Sequence, residues 1–137
     1  MIKNYLLCLI CIGFVLLQEQ ESIYEKENLA QFYIEAGLYD DAIAVYKNVL
    51  DLKKDILGNY NIELTNCLYS LSDLYILKED LEMSQHYLKK ALDIQYLNFL
   101  LYQKKYIPTL QKYKEIYYLK NDTNNIFYID SLITLLT

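Results

Sequence analysis

Few of the 137 residues could do chemistry, and their spacing argues against a catalytic or metal centre. His86 is the sole histidine, so neither a two-histidine metal site nor a histidine proton relay can be built. It falls between Gln85 and Tyr87 on a predicted helix, with no cysteine or acid cluster at ligand spacing, and reads as a surface residue. Cys8 and Cys11 have the spacing of a metal or redox pair, but they sit inside the uncharged apolar run Tyr5–Leu17. Such pairs need accessible thiolates in a folded site, which that run does not offer. That leaves Cys67, and one cysteine closes no internal disulfide. Ser22, Ser70, Ser72, Ser84 and Ser131 occur in no nucleophile-elbow pattern, and three scattered glycines cannot cradle a phosphate. Asp40-Asp41 and Glu79-Asp80 fall at predicted turns, where acids favour the positive ends of helices. Asn121-Asp122-Thr123 has the form of a glycosylation acceptor and is read as incidental. No enzyme, cofactor or metal is expected.

The chain's chemistry is then a matter of surface, and the elements that carry it must be helical. Apolar residues make up 54% of the chain, against three Gly and one Pro, a balance that favours long helices over disorder. The net charge of −5 is uneven. Residues 18–94 hold fifteen acids and seven lysines, whereas residues 95–137 hold three acids and five lysines. An acidic body lacks the clustered basic face that nucleic acid requires.

The start of the chain stands apart. Lys3 precedes the thirteen-residue apolar run, and Gln18-Glu19-Gln20-Glu21 ends it. A basic start followed by ~7–15 apolar residues fits a secretory signal. At ~1.5 Å per residue the run covers roughly 20 Å, less than a ~30 Å hydrocarbon core. Val15, Leu16 and Leu17 are too bulky for a small-x-small cleavage site. Residues 1–17 are therefore expected to be a signal peptide or a retained membrane anchor, and the protein is expected to be periplasmic or secreted. Any membrane contact is expected through this segment alone.

Beyond it, the chain resembles itself 42 residues away. Tyr75-Ile76-Leu77-Lys78-Glu79-Asp80 is echoed by Tyr117-Tyr118-Leu119-Lys120-Asn121-Asp122, and Gly37-Leu38-Tyr39-Asp40-Asp41-Ala42 closes one helical pattern and opens the next. Self-similarity at ~20–50 residues marks a stack of repeated units. Ser22-Ile23-Tyr24-Glu25 has the form of a capping box, which predicts a helix start. Leu29, Phe32, Tyr33 and Ala36 follow at helical spacing until Gly37. Asp40 is expected to cap the next helix, whose apolar face is Ala42, Val45, Tyr46, Val49 and Leu50. A third helix carries Leu64, Cys67, Leu68, Leu71, Leu74 and Tyr75. A fourth uses Leu81, Ser84, Tyr87, Leu88, Ala91 and Leu92, and Asp93 to Tyr106 are expected to prolong it. Pro108 fits the start of a fifth helix, and Ile126, Ile129, Leu132, Ile133 and Leu136 form a last stripe. The expected units are about 22–57, 61–99 and 107–137 within a repeat domain of residues 22–137.

The order Leu29-Ala30-x-x-Tyr33, Gly37-x-Tyr39, Ala42, Tyr46, Val49 resembles a tetratricopeptide repeat. Leu71-Ser72-x-x-Tyr75, Leu81, Ser84, Leu88 and Ala91 repeat it, and the 42-residue length is similar to the repeats of kinesin light chains and many bacterial proteins. The resemblance implies an all-α solenoid of about three antiparallel hairpins. Small Ala42 and Ser84 mark close helix approach. Ile126 at the third such position predicts more open packing, and Glu79 at the turn position occupied by Gly37 predicts a second turn that differs in detail. The resemblance also implies that the first helix of each unit lines a groove for a protein or peptide. Carried onto this chain, the groove residues are Tyr24, Glu27, Gln31 and Ile34, then Asn66, Tyr69, Asp73 and Ile76, then Gln111, Glu115 and Tyr118. Some members hold a C-terminal carboxylate through lysine and asparagine, but Glu27 and Gln31 stand at the first two of those positions. The expected role is a non-catalytic scaffold. The alternative is the sensory module of a bacterial signalling system, truncated or acting in trans, and the open ends of the stack allow self-association.

Overall fold

The computed structural model describes the backbone of residues 2–137 and the side chains outside residues 2–8, 16 and 99–105. Among the described residues all regular structure is helical: α1 Ile2–Glu35, α2 Tyr39–Leu57, α3 Leu64–Leu77, α4 Leu81–Leu97, α5 Phe99–Leu119 and α6 Thr123–Leu136. They fall into two compact units, one reaching Leu52 and one running from Lys53 to Thr137. The all-α expectation of antiparallel hairpins is met.

The hairpins reverse through a recurring local device. Gly37, Glu79 and Asn121 have φ of 73°, 60° and 56°, and their positions are 42 residues apart in both steps. At each, the same two backbone bonds close the helix. Gly37 N–H reaches Ile34 O at 3.0 Å and Leu38 N–H reaches Tyr33 O at 2.8 Å. Glu79 and Asp80 bond Ile76 and Tyr75 in the same way, and Asn121 and Asp122 bond Tyr118 and Tyr117. This is the Schellman arrangement, which pairs carbonyls that the helix end would orphan. The expectation that the second turn would differ is corrected: Glu79 takes the left-handed conformation despite its Cβ. The two bonds outweigh a penalty of roughly 1 kcal/mol.

Caps follow the turns. Asp80 Oδ1 accepts from Met83 N at 3.0 Å and Asp122 Oδ1 from Asn125 N at 3.2 Å. A bond from the Asn125 side-chain amide, and then the one from its backbone N–H, hold the Asp122 carboxyl below the usual range. In the first unit the equivalent position is Leu38. Asp40 is not the cap residue expected of it, because α2 already begins at Tyr39 and Asp40 lies in its first turn. The helix dipole still favours it there.

Two helix boundaries also differ from expectation. The Ser22 capping box starts nothing, since α1 is continuous from Ile2 to Glu35. A capping box acts only where the preceding residues leave the helix, and the apolar run before Ser22 is itself helical. The fourth helix is not prolonged to Tyr106. It ends at Asn98, whose Nδ2 donates to Ile94 O at 2.7 Å and to Tyr60 O at 3.0 Å. An asparagine side chain competing for the backbone breaks the helix there. The fifth helix then starts at once, which puts Pro108 inside α5 rather than at its start. There it can donate no bond to the carbonyl of residue 104.

In the first unit Ile23, Ala30, Ala42, Ile43, Val49 and Leu50 are buried. In the second unit the helices pack serially, α3 on α4, α4 on α5 and α5 on α6. Leu88, Leu110, Tyr113, Ile116 and Ile129 form a core cluster across the last three. Burying each large aliphatic of this set contributes about 1.5–3 kcal/mol. Tyr75 and Tyr87 stack between α3 and α4 with centroids 5.5 Å apart. Where these two helices approach closely, Ser72 and Ser84 share a buried 2.7 Å hydrogen bond. One period earlier stand Ala30 and Ala42, equally buried. One period later stand Lys114 and Ile126, both half-buried, so the third hairpin is more open, as expected.

Two stability measurements follow. Glu79→Gly should raise the urea midpoint by the equivalent of about 1 kcal/mol, and Gly37→Ala should lower it by a similar amount. A Cβ at Gly37 meets no atom within 4 Å, so the second change isolates the backbone penalty. Ser72→Ala and Ser84→Ala should each cost about 1 kcal/mol, because each leaves a buried hydroxyl without its partner. The double variant should cost clearly less than the sum. Additive losses in a double-mutant cycle would show that the two hydroxyls act separately.

Candidate partner-binding face

The resemblance assigns the groove to first helices, and in the second unit these are α3 and α5. Their side chains meet directly. Lys112 of α5 pairs with Asp73 of α3, and its Nζ lies 5.6 Å from the centre of the Tyr69 ring. Beneath this clasp is a closed triangle of polar groups. Gln95 Nε2 donates to the Tyr69 hydroxyl at 2.7 Å, Thr109 Oγ1 donates to Gln95 Oε1 at 2.5 Å, and the Tyr69 and Thr109 hydroxyls bond each other. Gln95 and Thr109 are buried. Unpaired, such groups would cost about 1–3 kcal/mol each, so the triangle holds α3, α4 and α5 in one relative position.

The proposed groove residues of the second unit divide into two kinds. Asn66, Asp73, Gln111, Glu115 and Tyr118 are exposed. Tyr69 and Ile76 are half-buried and pack against the core cluster, so they shape the face from below. Tyr118 carries the Lys114 ammonium 5.6 Å from its ring centre. Lys114 in turn donates to Asp130 at 2.6 Å, and that bond is the main cause raising its pKa. The first unit is described by itself. There Tyr24 and Gln31 are exposed on α1, while Glu27 and Ile34 are half-buried. Gln31 Nε2 donates to Glu35 at 3.2 Å.

Lys112, Thr109 and Gln95 escaped the sequence reading. The signal that marks two of them is an offset of 39–40 residues, slightly under one period: Asp73 to Lys112 and Tyr69 to Thr109. Side chains of adjacent first helices meet at that offset because a shift of about one helical turn separates facing positions.

Chemically the face is polar, mixed in charge and aromatic. Among the described residues no group of three or more His, Cys, Asp or Glu is placed to hold a metal ion. One titration is shifted far. Burial, then Tyr117 and Asp93, push the Tyr113 phenol from 10.0 up to about 12. Its hydroxyl donates to Gln85 O at 3.2 Å.

Helices packed serially, α3 on α4, α4 on α5 and α5 on α6, with turns repeated every 42 residues, define a helical-repeat protein. The chain belongs to the tetratricopeptide repeat family, whose model matches residues 19–96. No curated protein matches it in sequence. Among solved structures it is similar to BtubC (BKLC) from P. vanneervenii, at 15% identity and a TM-score of 0.69, covering 83% of this chain and 45% of that one. It is also similar to a Podosopora anserina kinesin-light-chain protein with nearly identical TPR-like repeats. There the identity is 12% and the TM-score 0.69, over 83% of this chain and 54% of that one. The chain thus spans about half the length of these neighbours, and the likeness is one of fold.

The Tyr113 shift has a measurable consequence. The folded chain holds this proton more tightly than the unfolded chain does. Its contribution to stability is therefore full below pH 10 and is lost as pH rises towards 12. Spectrophotometric titration should show a late tyrosine class, absent in Tyr113→Phe, and the variant should lose less stability over that window.

Proposed function

We propose that this chain is a non-catalytic scaffold that binds a protein or peptide segment across the face of α3 and α5. The observation that supports the reading is the Tyr69–Lys112–Asp73 clasp over the buried Gln95–Thr109–Tyr69 triangle. It fixes two first helices side by side and leaves Asn66, Gln111, Glu115 and Tyr118 facing solvent. A face ordered before binding spares part of the entropic cost of association. Tyrosine adds contact area with a polar tip, and amides and acids give hydrogen bonds to an extended backbone or to basic side chains. Because Lys112 neutralises Asp73, Glu115 is the acid we assign to a partner's lysine or arginine. Tyr24, Glu27, Gln31 and Ile34 offer a similar mixture on α1.

Residues 1–17 are the export signal in this reading, so the partner is met outside the cytosol. The acidic character of residues 18–94 disfavours nucleic acid as that partner.

The test begins with proteins captured by the full chain from the exported fraction, followed by affinity measurement with the purified partner. Gln111→Lys combined with Glu115→Lys should weaken binding about tenfold, or ~1.4 kcal/mol. Circular dichroism should stay unchanged, because both side chains are exposed. Equal affinity of variant and parent would remove this face as the interface.

A further inference from the structure

We propose that the apolar first half of α1 stays attached to the chain and is embedded in a lipid bilayer, so that the scaffold is held at a membrane rather than released. The inference does not depend on what the α3–α5 face binds.

Exposure along α1 changes character partway. Leu9, Ile10, Ile12, Phe14, Val15 and Leu17 are 51–66% exposed, and Cys11 is exposed as well. At ~100° per residue these seven side chains point round the whole circumference, leaving no polar side. From Ile23 onward the helix behaves differently. Ile23 and Ala30 are buried, and Tyr24 and Phe32 are exposed at 66% and 60%. This is a one-sided stripe of the kind a neighbouring helix covers. A protein partner covers one side of a helix; a helix that is apolar all round calls for a surrounding that is apolar all round.

Length gives the same division. The 34 residues of α1 extend about 51 Å, whereas the 19 of α2 extend about 28 Å. A hairpin partner of that length cannot reach the first fifteen or so residues of α1. Lys3 is the sole charged side chain before Glu19, so nearly all of that overhang can enter hydrocarbon. Among the described residues no helix is long and apolar enough to cross a membrane. The thirteen-residue run, at about 20 Å, is short for a ~30 Å core, a mismatch that local bilayer thinning and flanking residues accommodate.

Retention follows from the junction. A signal peptide ends in small residues at an A-x-A-like site. Here Val15-Leu16-Leu17 are bulky, and the backbone runs as unbroken helix into the first hairpin. Among the described residues the first buried one, Ile23, comes six positions after Leu17, about 9 Å along the axis. The first hairpin would thus stand close to the headgroups.

The experiment uses the full chain carrying Cys8→Ser, so that Cys11 is the thiol labelled with an environment-sensitive fluorophore; Cys67 is only 2% exposed. Mixed with phosphatidylcholine vesicles, the chain should float with them in about 1 M salt, where surface electrostatics are screened. The Cys11 emission should shift to the blue and be quenched by lipid-borne quenchers. Ile12→Lys with Val15→Lys should reduce the floating fraction roughly tenfold. Helicity of the repeats should be unchanged, since both side chains are more than half exposed. Mass spectrometry of the cellular protein should find the intact N-terminus in the membrane fraction. A soluble chain beginning near residue 18 would overturn retention while leaving export standing. An intact chain that stays in the aqueous phase, or an unshifted Cys11 signal, would overturn the embedding. No partner is present in any arm, so neither failure bears on the scaffold reading.

Discussion

The positive φ at Gly37, Glu79 and Asn121 is the constraint on which the rest depends. A helix of L-residues has no inherent reason to stop, and a polypeptide with a few Gly and a single Pro has little to stop it. One left-handed residue turns the chain through a Schellman closure, and in two of three cases an aspartate next to it caps the following helix. Because the device recurs at a fixed interval, each hairpin reverses in the same way. Glu79 is informative here. Glutamate does not favour this conformation, so its presence shows that the surrounding bonds and packing, rather than residue preference, set the turn.

Pairing the two helices of a hairpin then needs surfaces that match, and the residues at the equivalent positions differ from hairpin to hairpin. Ala30 and Ala42 stand at these places in the first unit, fully buried and without any polar side-chain group. Ser72 and Ser84 occupy the same places and add a hydrogen bond, which is possible because two hydroxyls can satisfy each other when both are excluded from water. Lys114 and Ile126 cannot pack so closely, and there the ammonium turns outward to Asp130. A graded series from tight to open along one chain is what repeat proteins show when terminal units differ from inner ones.

How much of this could be read in advance depended on whether the controlling interaction was local. The apolar stripe of α3 was legible because a 3.6-residue period is written in consecutive residues, and the turn at Gly37 was legible because glycine states its own conformation. The continuity of α1 was not, since Ser22 and Glu25 offer a valid cap that the helical run before them makes unnecessary. Pro108 misled for the opposite reason. Proline marks where a helix can begin, but α5 already begins at Phe99, because α4 ends at Asn98, whose side chain bonds Ile94 and Tyr60, the latter 38 residues earlier. On the candidate face, exposed positions followed from helical spacing. Lys112 did not, because its role comes from Asp73 and Tyr69 on another helix.

That last case also explains why the face is more than a surface left over from packing. Tyr69 is held at its hydroxyl by Gln95 and Thr109 and over its ring face by Lys112. Lys112 cannot leave for solvent without giving up Asp73 and the ring face together. Exposed ion pairs alone are worth about 0.2–1 kcal/mol and would not order a surface. Seated on a buried, fully bonded triangle, this one inherits the rigidity of the core, because moving Tyr69 would break its hydrogen bonds to two buried polar side chains. The same three contacts therefore serve stability and presentation at once. They tie α5 to α3 across α4, and in doing so fix the spacing between two rows of exposed amide, acid and tyrosine side chains.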